Sequence, residues 1–483
     1  MVPILEHLID TTLMVGTDGR GTLQQQLHQH LRSAILEGRL PAGTRLPATR
    51  AFALQQGVSR NTVLAAYDQL IAEGYLETRQ GAGTFVTLEL PDDFTRTSSP
   101  LLGGMQAPSE GRQPYKQITP TGLPATDAFP MDVWARLNSS VWRHADQSLL
   151  HYDDPLGYAP LREAITSYLS TSRSVRASAD QILIVSGLQQ GMKLIVDTLM
   201  TERDTIILED PGYGGLLRTA KACSPKIDYI AIDSSGACVP AEDQKNSLLI
   251  ITPSHQYPLG MAMPTARRLE LIKWARATDS LILEDDHDSE FRYAGRPLSS
   301  LQGISNGEHV IYGGSFSKAT FPALRLGYLV LPQHLVGPIL KRREATDSFP
   351  SIMPQLALTK FISEGHFARH LRRLRKIHNA RQKHYRVLFA QHLEQYFKLM
   401  PSDLGLHIVA RASKRLASST STNDIKWANL AQRAGLSAYP LSGNYRTENR
   451  EQGMLLGFAN YTEAEVTRGL PKLARYMLEE TGF

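Results

Sequence analysis

The sequence predicts an α/β protein made of two unlike domains joined by a linker. Three observations lead to this prediction. Residues 1–87 have the pattern of helices followed by a hairpin, residues 88–116 are rich in Pro, Gly, Ser and Thr, and residues 117–483 alternate short apolar strands with helical segments. The 483 residues also exceed what a single hydrophobic core usually supports, so more than one domain is expected.

The first domain begins with apolar residues at spacings of three and four from Leu23 to Ile35, which predict a helix. Further helices are predicted around Arg50–Gln56 and Ser59–Glu73. The segment YLETRQGAGTFVT then predicts a two-stranded hairpin with its tip at residues 79–83. Three helices followed by a hairpin are typical of a winged helix-turn-helix.

The charge pattern of this domain favours a nucleic-acid surface. Residues 1–87 hold seven Arg and seven acids, yet every charged residue between Glu37 and Asp68 is arginine: Arg39, Arg45, Arg50 and Arg60. One basic face on a neutral domain fits docking on phosphates. The start of the third helix adds small polar side chains that reach base edges in such domains, namely Ser59, Arg60, Asn61 and Thr62. The alternative is that Ser59 only caps the helix and the arginines are solvated.

The stretch LPAGTRLPATRAFALQQGVSRNTVLAAYDQLIAEGYLETRQGAGTFV closely resembles the DNA-binding domain of GntR-type bacterial regulators, over roughly residues 20–87. The resemblance implies that Arg50 and the helix start contact DNA. It also implies contacts from Arg79 and Gly81 at the wing, and the basic face adds Arg45.

The second domain contains seven short, nearly continuous apolar segments: QILIVSG, TIILED, YIAI, SLLIIT, LILEDD, HVIYGG and GYLVLP. Such strands alternating with helices predict a largely parallel sheet covered on both faces. Helical patterns follow at about residues 351–365 and 369–396, and the tail predicts a smaller α+β lobe. We expect domain boundaries at 1–87, 88–116 for a flexible linker, and 117–483.

The segment IYGGSFSKATFPALRLGYL carries Lys318 just after a predicted strand. Most lysines are solvated surface charges. This one is flanked by Ser315, Phe316, Ser317 and Phe321, a setting that suits a lysine of lowered pKa able to form a Schiff base. The hypothesis is that Lys318 carries pyridoxal phosphate.

Polar residues at other strand ends would meet Lys318 in one pocket. Ser186, Gly187 and Gln189 open a helix and suit a phosphate, although a plain turn is the alternative. Tyr213 either stacks on a flat cofactor or is a surface turn residue. The loop with His255 either reaches a ring hydroxyl or is only a turn.

The acidic run from Glu284 to Glu290 requires that some of its carboxyls be paired or protonated. Two interpretations remain open for it. An aspartate there can keep a pyridinium nitrogen protonated, or the Asp and His residues can bind a metal. We favour the first and expect no metal.

Together these segments strongly resemble fold-type I aminotransferases over about residues 117–483. SFSK followed by LRLG is similar to the cofactor motif of that family. The resemblance implies Lys318 as the Schiff-base residue, Arg325 as a phosphate ligand and Asp285 beside the pyridine nitrogen. It also implies that Tyr213 stacks on the ring and that Ser186, Gly187 and Gln189 form the phosphate turn. Ser315 and Ser317, beside the lysine, are further expected cofactor-binding residues. Tyr152 is similar to a tyrosine that reaches the neighbouring subunit's phosphate, which implies a homodimer.

The order of domains, with TPSHQYPLG and EDDHDSEFRY, identifies the chain as a member of the MocR/GabR subfamily of GntR regulators. Two departures stand out. His287 replaces a common tyrosine; its imidazole can still bond the ring oxygen, with a charge that varies with pH. Leu455 and Leu456 lie where aminotransferases place the arginine that binds a substrate carboxylate, so that bidentate contact is lost.

The sequence therefore predicts a cytoplasmic transcription regulator that binds operator DNA and senses pyridoxal phosphate, or an amine or amino acid acting through it, by an imine at Lys318. A working aminotransferase with an accessory DNA-binding domain is the alternative, and a regulator that has lost the cofactor is a weaker one. Only Cys223 and Cys238 are present, which rules out a disulfide framework. The N-terminus lacks the basic start of a signal peptide, and no apolar run is long enough to span a membrane.

Overall fold

The computed structural model describes residues 22–88, 121–151, 154–223, 226–295, 298–419, 422–448 and 450–482. The predicted linker at 88–116 lies, apart from residue 88, outside these ranges, and so does Tyr152. The chain divides into two compact units, Met1–Arg112 and Gln113–Phe483.

The N-terminal unit is a winged helix-turn-helix, which confirms the predicted fold. Its elements are α1 (Leu23–Leu36), α2 (Thr49–Gln56), α3 (Arg60–Ala72), β1 (Leu76–Arg79) and β2 (Gly83–Val86). Thr22 and Gln25 form a reciprocal capping box that starts α1. Apolar side chains from all three helices and the hairpin share one core, among them Leu27, Leu31, Phe52, Val63, Leu70 and Val86. The antiparallel pair β1–β2 forms the wing.

The C-terminal unit is built on one large sheet. Its strands are β3 (Ile182–Val185), β4 (Thr205–Asp210), β5 (Lys226–Asp233), β6 (Gly236–Ala237), β7 (Leu248–Ile251), β8 (Leu281–Asp285), β9 (Val310–Ser315) and β10 (Gly327–Val330). Their order in the sheet is β3-β10-β9-β8-β7-β4-β5-β6. All seven predicted strands are present, and the sequence missed only the two-residue β6.

The sheet is mixed, whereas the sequence predicted a largely parallel one. Strands β9, β8, β7, β4 and β5 are parallel, but β10 is antiparallel to both of its neighbours, β9 and β3. The loop from β9 to β10 spans residues 316–326 and is too short for the crossover that a parallel neighbour requires. This same short loop carries Lys318 and Arg325.

Helices pack on both faces of the sheet. They are α4 (Met131–Arg143), α5 (Ala159–Arg173), α6 (Leu188–Leu199), α7 (Gly214–Cys223), α8 (Thr265–Thr278), α9 (Leu301–Ser305), α10 (Gln333–Glu344), α11 (Ile352–Ser363) and α12 (His366–Leu393). Successive side chains of β7 alternate between two apolar clusters: Leu248 and Ile250 join one with α6, while Leu249 and Ile251 join another with α8. This alternation explains why β7 has no polar position.

A smaller lobe completes the unit. Its strands are β11 (Phe397–Leu399), β12 (His407–Ala412), β13 (Ala438–Pro440) and β14 (Gly453–Gly457), and its helices are α13 (Lys414–Ala417), α14 (Asp424–Arg433) and α15 (Glu463–Thr481). The strands form an antiparallel sheet in the order β11-β12-β14-β13. Cys223 and Cys238 are both unpaired. No helix within the described residues combines the length and the apolar character needed to cross a membrane.

Candidate cofactor site and nucleic-acid interface

Lys318 lies in the β9–β10 loop at the carboxyl end of the parallel strands. It is half-buried, and its Nζ donates a 2.6 Å hydrogen bond to the carbonyl oxygen of Gly122. The buried side chains of Phe316 and Ala319 anchor the loop on either side of the lysine. Lys318 is therefore a positioned amine rather than a freely solvated one. Gly122 was missed by the sequence analysis because no local motif marks it.

Ser315 and Ser317, the two serines near the lysine, are hydrogen-bonded to each other. Ser317 donates its backbone N–H to Ser315 Oγ at 3.2 Å, and Ser315 Oγ donates to Ser317 Oγ at 3.0 Å. Both side chains are partly exposed, so their remaining hydrogen-bonding capacity faces the same edge of the sheet as the lysine.

An anion-binding cradle lies where β3 and β10 end side by side. Gly327 pairs with both Val185 and Ser315, so the residues just outside these strands are neighbours. A Cβ on Gly187 would lie 3.3 Å from Arg325 Nη2, so the absence of a side chain leaves room for the guanidinium. Gly187 is also the N-cap of α6, with no side-chain cap on the helix amides. Free amides and an arginine together suit a phosphate.

Ser186 and Gln189, the other two residues predicted to bind the phosphate, are exposed. Ser186 donates its backbone N–H to Gln190 Oε1 at 2.9 Å, and its hydroxyl donates to the same oxygen at 3.5 Å. Gln189 points toward the next helix, because its Nε2 donates to the carbonyl oxygen of Gly215 at 3.1 Å. Both side chains are therefore engaged with protein groups.

Asp285 ends β8 beside Gly313 of β9. Burial, together with the charges of Asp286, Glu209 and Asp288, raises the pKa of Asp285 to about 8. The carboxyl is therefore protonated at neutral pH in the protein alone. A cationic ring nitrogen placed against it would favour the ionised form, which is the role expected of a pyridinium partner.

Its neighbour Asp286 has a structural role. Arg173 forms a buried ion pair with it, Nη2 to Oδ1 at 2.6 Å, and Ser289 donates to Oδ2 at 2.6 Å. Ser254 and Tyr312 also donate to this carboxylate. Burial opposes ionisation, but Arg173 and these donors hold the pKa of Asp286 below its usual range. Burial raises the pKa of Glu284 and of Glu290 to about 7. The acidic run thus contains Asp286, which Arg173 holds ionised, and three carboxyls whose pKa is raised by burial, those of Glu284, Asp285 and Glu290.

Tyr213 precedes α7 and leaves 43% of its surface exposed, an unusual fraction for a large aromatic residue. Its ring lies 5.4 Å from that of Tyr257, edge to face. Burial of the hydroxyl and the charge of Asp285 raise its pKa, so the tyrosine lies near that carboxyl. An exposed aromatic face beside Asp285 can take a flat ligand ring.

Three histidines surround the end of this pocket. The His255 ring lies 5.6 Å from that of His287 and 5.1 Å from that of His407. His287 Nδ1 is 4.0 Å from Asp285 Oδ1, so His287 borders the predicted ring position. His255 is buried behind it rather than in the open pocket. The sequence analysis missed His407, because it begins β12 of the small lobe, far along the chain from every recognised motif.

Leu455 and Leu456, at the place where aminotransferases have a carboxylate-binding arginine, both lie on β14 of the small lobe. Leu455 packs with Val409, Leu441 and Tyr445, while Leu456 points into the main core instead. Among other arginines of this unit, Arg267 is bound to Asp233 at 2.8 Å on the surface. Arg446 Nη2 would lie 3.6 Å from a Cβ on Gly214, next to Tyr213.

The N-terminal unit presents an exposed basic surface. Arg45, Arg50, Arg60, Asn61, Arg79 and Gly81 are exposed, and Thr62 is half-buried. Within the described part of the chain Arg45, Arg50 and Arg60 form no ion pair, whereas Arg79 is bound to Glu77 at 2.6 Å. Ser59 caps α3, accepting from the Thr62 amide at 3.1 Å. The capping role therefore holds, and it leaves the start of α3 with its amides and Arg60 facing outward.

The residues of the C-terminal unit fit pyridoxal phosphate: a positioned amine, a Gly-Arg anion cradle, a protonated buried carboxyl and an exposed aromatic ring meet at one sheet edge. This fold and site define a fold-type I aminotransferase-like domain that follows a winged helix-turn-helix. The family model for aminotransferase classes I and II matches residues 121–472, and that for bacterial regulatory proteins of the gntR family matches residues 23–86.

Two relatives match along nearly the whole chain. The chain is 36% identical to the "Probable rhizopine catabolism regulatory protein MocR" of Rhizobium meliloti, over 97% of each chain. It is 30% identical to the HTH-type pyridoxine biosynthesis transcriptional regulator PdxR of Corynebacterium glutamicum, over 94% of this chain and 96% of the relative. The chain belongs to the MocR-type family of GntR regulators with an aminotransferase-like domain.

Solved structures agree on the fold of the C-terminal unit. An archaeal alanine:glyoxylate aminotransferase matches with a TM-score of 0.68 and 23% identity, over 76% of this chain and 91% of that one. The kynurenine aminotransferase of Pyrococcus horikoshii matches with a TM-score of 0.67 and 23% identity, over 76% and 92%.

Proposed function

We propose that this protein is a DNA-binding transcription regulator whose aminotransferase-like domain binds pyridoxal phosphate at Lys318 and senses that cofactor, or an amine acting through it. The proposal includes a homodimer in the cytoplasm and the domain limits 1–87, 88–116 and 117–483. In this proposal the protein controls nearby metabolic genes.

The observation that carries the sensing half is the joint presence of the Lys318 amine and the apolar position Leu455. Lys318 Nζ is held on Gly122 and lies at the same strand ends as Asp285 and Arg325. Leu455 is fully buried among apolar side chains, so this position supplies no cation to orient a substrate carboxylate. Binding without such orientation supports a sensor better than a turnover site, because catalysis requires substrate held in register.

The cofactor would supply an aldehyde that joins the Lys318 amine and a ring that withdraws electrons. The chain's own groups would do the rest. Arg325 and the α6 amides would bind the phosphate, Asp285 would hold a proton against the ring nitrogen, and Tyr213 would cover one ring face.

The DNA-binding half is supported by the unpaired arginines near the start of α3. Arg45, Arg50 and Arg60 are exposed and have no acidic partner in the described ranges. Unpaired surface arginines have their full charge available for phosphates. A change at the Lys318 site would then alter how two such domains of a dimer bind their half-sites.

The test uses duplexes selected from a random library by the purified full-length protein. Operator affinity is measured by fluorescence anisotropy with and without added pyridoxal phosphate, for wild type and Lys318→Ala. The expected result is a cofactor-dependent change in affinity of about fivefold or more, within the range of typical allosteric coupling. Lys318→Ala should bind DNA but lose the response. Equal affinity with and without cofactor in wild type would overturn the sensing proposal.

A second assay separates this function from an aminotransferase. Each of a panel of amino donors is incubated with the protein and a keto-acid acceptor, and product is followed over many equivalents. Product limited to about one equivalent per chain agrees with a sensor. Steady production that Lys318→Ala abolishes would favour the enzyme instead. A colourless protein that binds no pyridoxal phosphate would favour loss of the cofactor.

A further inference from the structure

The three side chains His255, His287 and Asp288 form a compact cluster beside the cofactor site. His255 follows β7, and the other two follow the neighbouring strand β8. One potential ligand atom from each residue lies within 4.8 Å of the others. His255 Nδ1 is 3.8 Å from Asp288 Oδ2, too long for a hydrogen bond.

The polar atoms of this cluster are buried without partners. His255 is 1% exposed and Asp288 is 3% exposed. Among the residues that the structure describes, neither ring nitrogen of His255 has a hydrogen-bond partner, and the same holds for His287 Nε2 and Asp288 Oδ1. Buried polar atoms are costly unless something binds them, so four in one place indicate a missing ligand.

The His255 ring is also held in position. A Cβ on Gly405 would lie 2.0 Å from His255 Cε1, so only glycine permits this approach of the small-lobe backbone. Gly405 has a φ of +72°, which also favours glycine. On the other side His407 Nε2 lies 3.0 Å from the Pro258 carbonyl oxygen, which fixes the third ring.

The three side chains offer the donor atoms that a metal ion requires. His255 and His287 each supply an imidazole nitrogen, and Asp288 supplies a carboxylate oxygen.

We propose that His255, His287 and Asp288 bind one divalent transition-metal cation, with Zn²⁺ as the best match. Two imidazoles and a carboxylate, with an open fourth position, are a set that zinc accepts at about 2.0–2.2 Å from each ligand. Closing the cluster around the ion requires side-chain shifts on the order of 1 Å, given that geometry. The inference departs from the metal-free site expected from the sequence. It does not rest on the proposed sensing of pyridoxal phosphate, although it uses His287, which borders the predicted ring position.

The test is a metal titration of the full-length protein after removal of metal and cofactor. Zn²⁺ is added in competition with a chromogenic zinc indicator, and Co²⁺ is added separately to record its visible absorption bands. The expected result is one equivalent of Zn²⁺ per chain and Co²⁺ bands typical of nitrogen and oxygen ligands. His255→Gln and Asp288→Asn should each weaken binding by at least about tenfold, the low end for altered metal sites.

His370→Gln is the matched control. His370 is also buried, 4% exposed, and both of its ring nitrogens also lack partners in the described residues. It belongs to no group of potential ligands within the described ranges. It should keep the full equivalent of zinc, which separates loss of a ligand from general damage to the core. Circular dichroism checks the folding of each variant.

Two results would overturn the proposal. One is no zinc binding by wild type at micromolar free metal; the other is binding that neither variant reduces. If the variants do not fold, zinc K-edge absorption spectroscopy of wild type decides, because a sulfur-containing or all-oxygen shell contradicts the assigned ligands. Repeating the titration with pyridoxal phosphate present keeps the two proposals separate: a protein that binds zinc but forms no visible cofactor band refutes only the sensing proposal.

Discussion

Lys318 Nζ donates its 2.6 Å hydrogen bond to the carbonyl oxygen of Gly122, a residue 196 positions earlier in the chain. This contact ties the β9–β10 loop to the first described segment of the C-terminal unit. It places the reactive amine by a long-range backbone contact rather than by its own neighbours in sequence. The position of the amine therefore depends on a glycine that carries no functional group.

Gly122→Ala should weaken pyridoxal phosphate binding. The new Cβ would lie 2.8 Å from Lys318 Nζ, and the flexible lysine end would move rather than the backbone. Loss of a hydrogen bond from a charged group predicts a decrease in affinity of roughly tenfold. The measurement is an absorbance titration of the visible cofactor band, with borohydride fixation to confirm attachment at Lys318.

Gly337→Ala on α10 is the matched control, because its Cβ would meet nothing within 4 Å. It should leave cofactor affinity unchanged. An unchanged affinity in Gly122→Ala would show that the carbonyl contact does not position the amine.

Asp285→Asn should change how stability depends on pH in the cofactor-free protein. The pKa of Asp285 is about 8 in the folded protein, raised from 3.8 by burial first. The folded state therefore binds the proton that the unfolded state releases between about pH 4 and pH 8. Since the unfolded state binds fewer protons, the free energy of unfolding falls as pH rises through this window, by at most about 1.4 kcal/mol per unit.

The side chain introduced by Asp285→Asn does not titrate, so the variant lacks this pH-dependent contribution to the free energy of unfolding. Its thermal midpoint relative to wild type should therefore rise steadily from pH 5 to pH 8 and then level off. Scanning calorimetry or circular dichroism at several pH values measures the difference. A difference that stays constant across this range would mean that Asp285 ionises normally in the folded protein.

Arg60→Ala should weaken operator binding without affecting the visible cofactor band. Arg60 is the first residue of α3 and pairs with no acid in the described part of the chain. Loss of one phosphate contact predicts a salt dependence, log K against log salt concentration, that is shallower by about one unit. Anisotropy titrations at several salt concentrations measure both affinity and slope.

Arg39→Ala is the comparison, since Arg39 is exposed in the same domain but paired with Glu37 at 2.7 Å. It should have a smaller effect on both quantities. Equal losses in the two variants would point to general charge rather than a contact at the start of α3.

The effector pocket should show little preference for a carboxylate. Leu455 is uncharged and fully buried among Val409, Leu441 and Tyr445, so it supplies no contact to a carboxylate. An α-amino acid and the amine made by removing its carboxyl group should therefore shift the cofactor absorbance at concentrations within about tenfold of each other, since a lost bidentate arginine contact removes the main source of discrimination. The measurement is a paired titration.

Arg446→Gln tests the remaining cation beside Tyr213. The ratio of the two midpoints should stay unchanged in this variant. If the amino acid is strongly preferred by wild type and the preference disappears in Arg446→Gln, then Arg446 binds the carboxylate and the expectation from Leu455 is wrong.

Local patterns were sufficient for the secondary structure and the fold class. Helix spacing, the hairpin residues and the continuous apolar strands identified both folds, because each element is encoded by residues adjacent in sequence. The direction of β10 was not predicted from apolar character, since a buried strand has the same composition in either direction. The brevity of the loop before it decides that direction.

The residues of the candidate site also fall into two groups: those that local motifs predicted, and those that only the tertiary structure brought together. Lys318, Asp285, Arg325 and Tyr213 were identified by sequence because each follows or precedes a strand in a distinctive motif. Only the tertiary structure brought Gly122 to the lysine and His407 to His255, since these contacts join segments far apart in the chain. The tertiary structure also gives the two neighbouring aspartates different ionisation states. Asp286 is paired with Arg173, whereas burial keeps Asp285 protonated. Composition determines which side chains can ionise. Whether each of them does ionise depends on its neighbours, and folding brings those neighbours together.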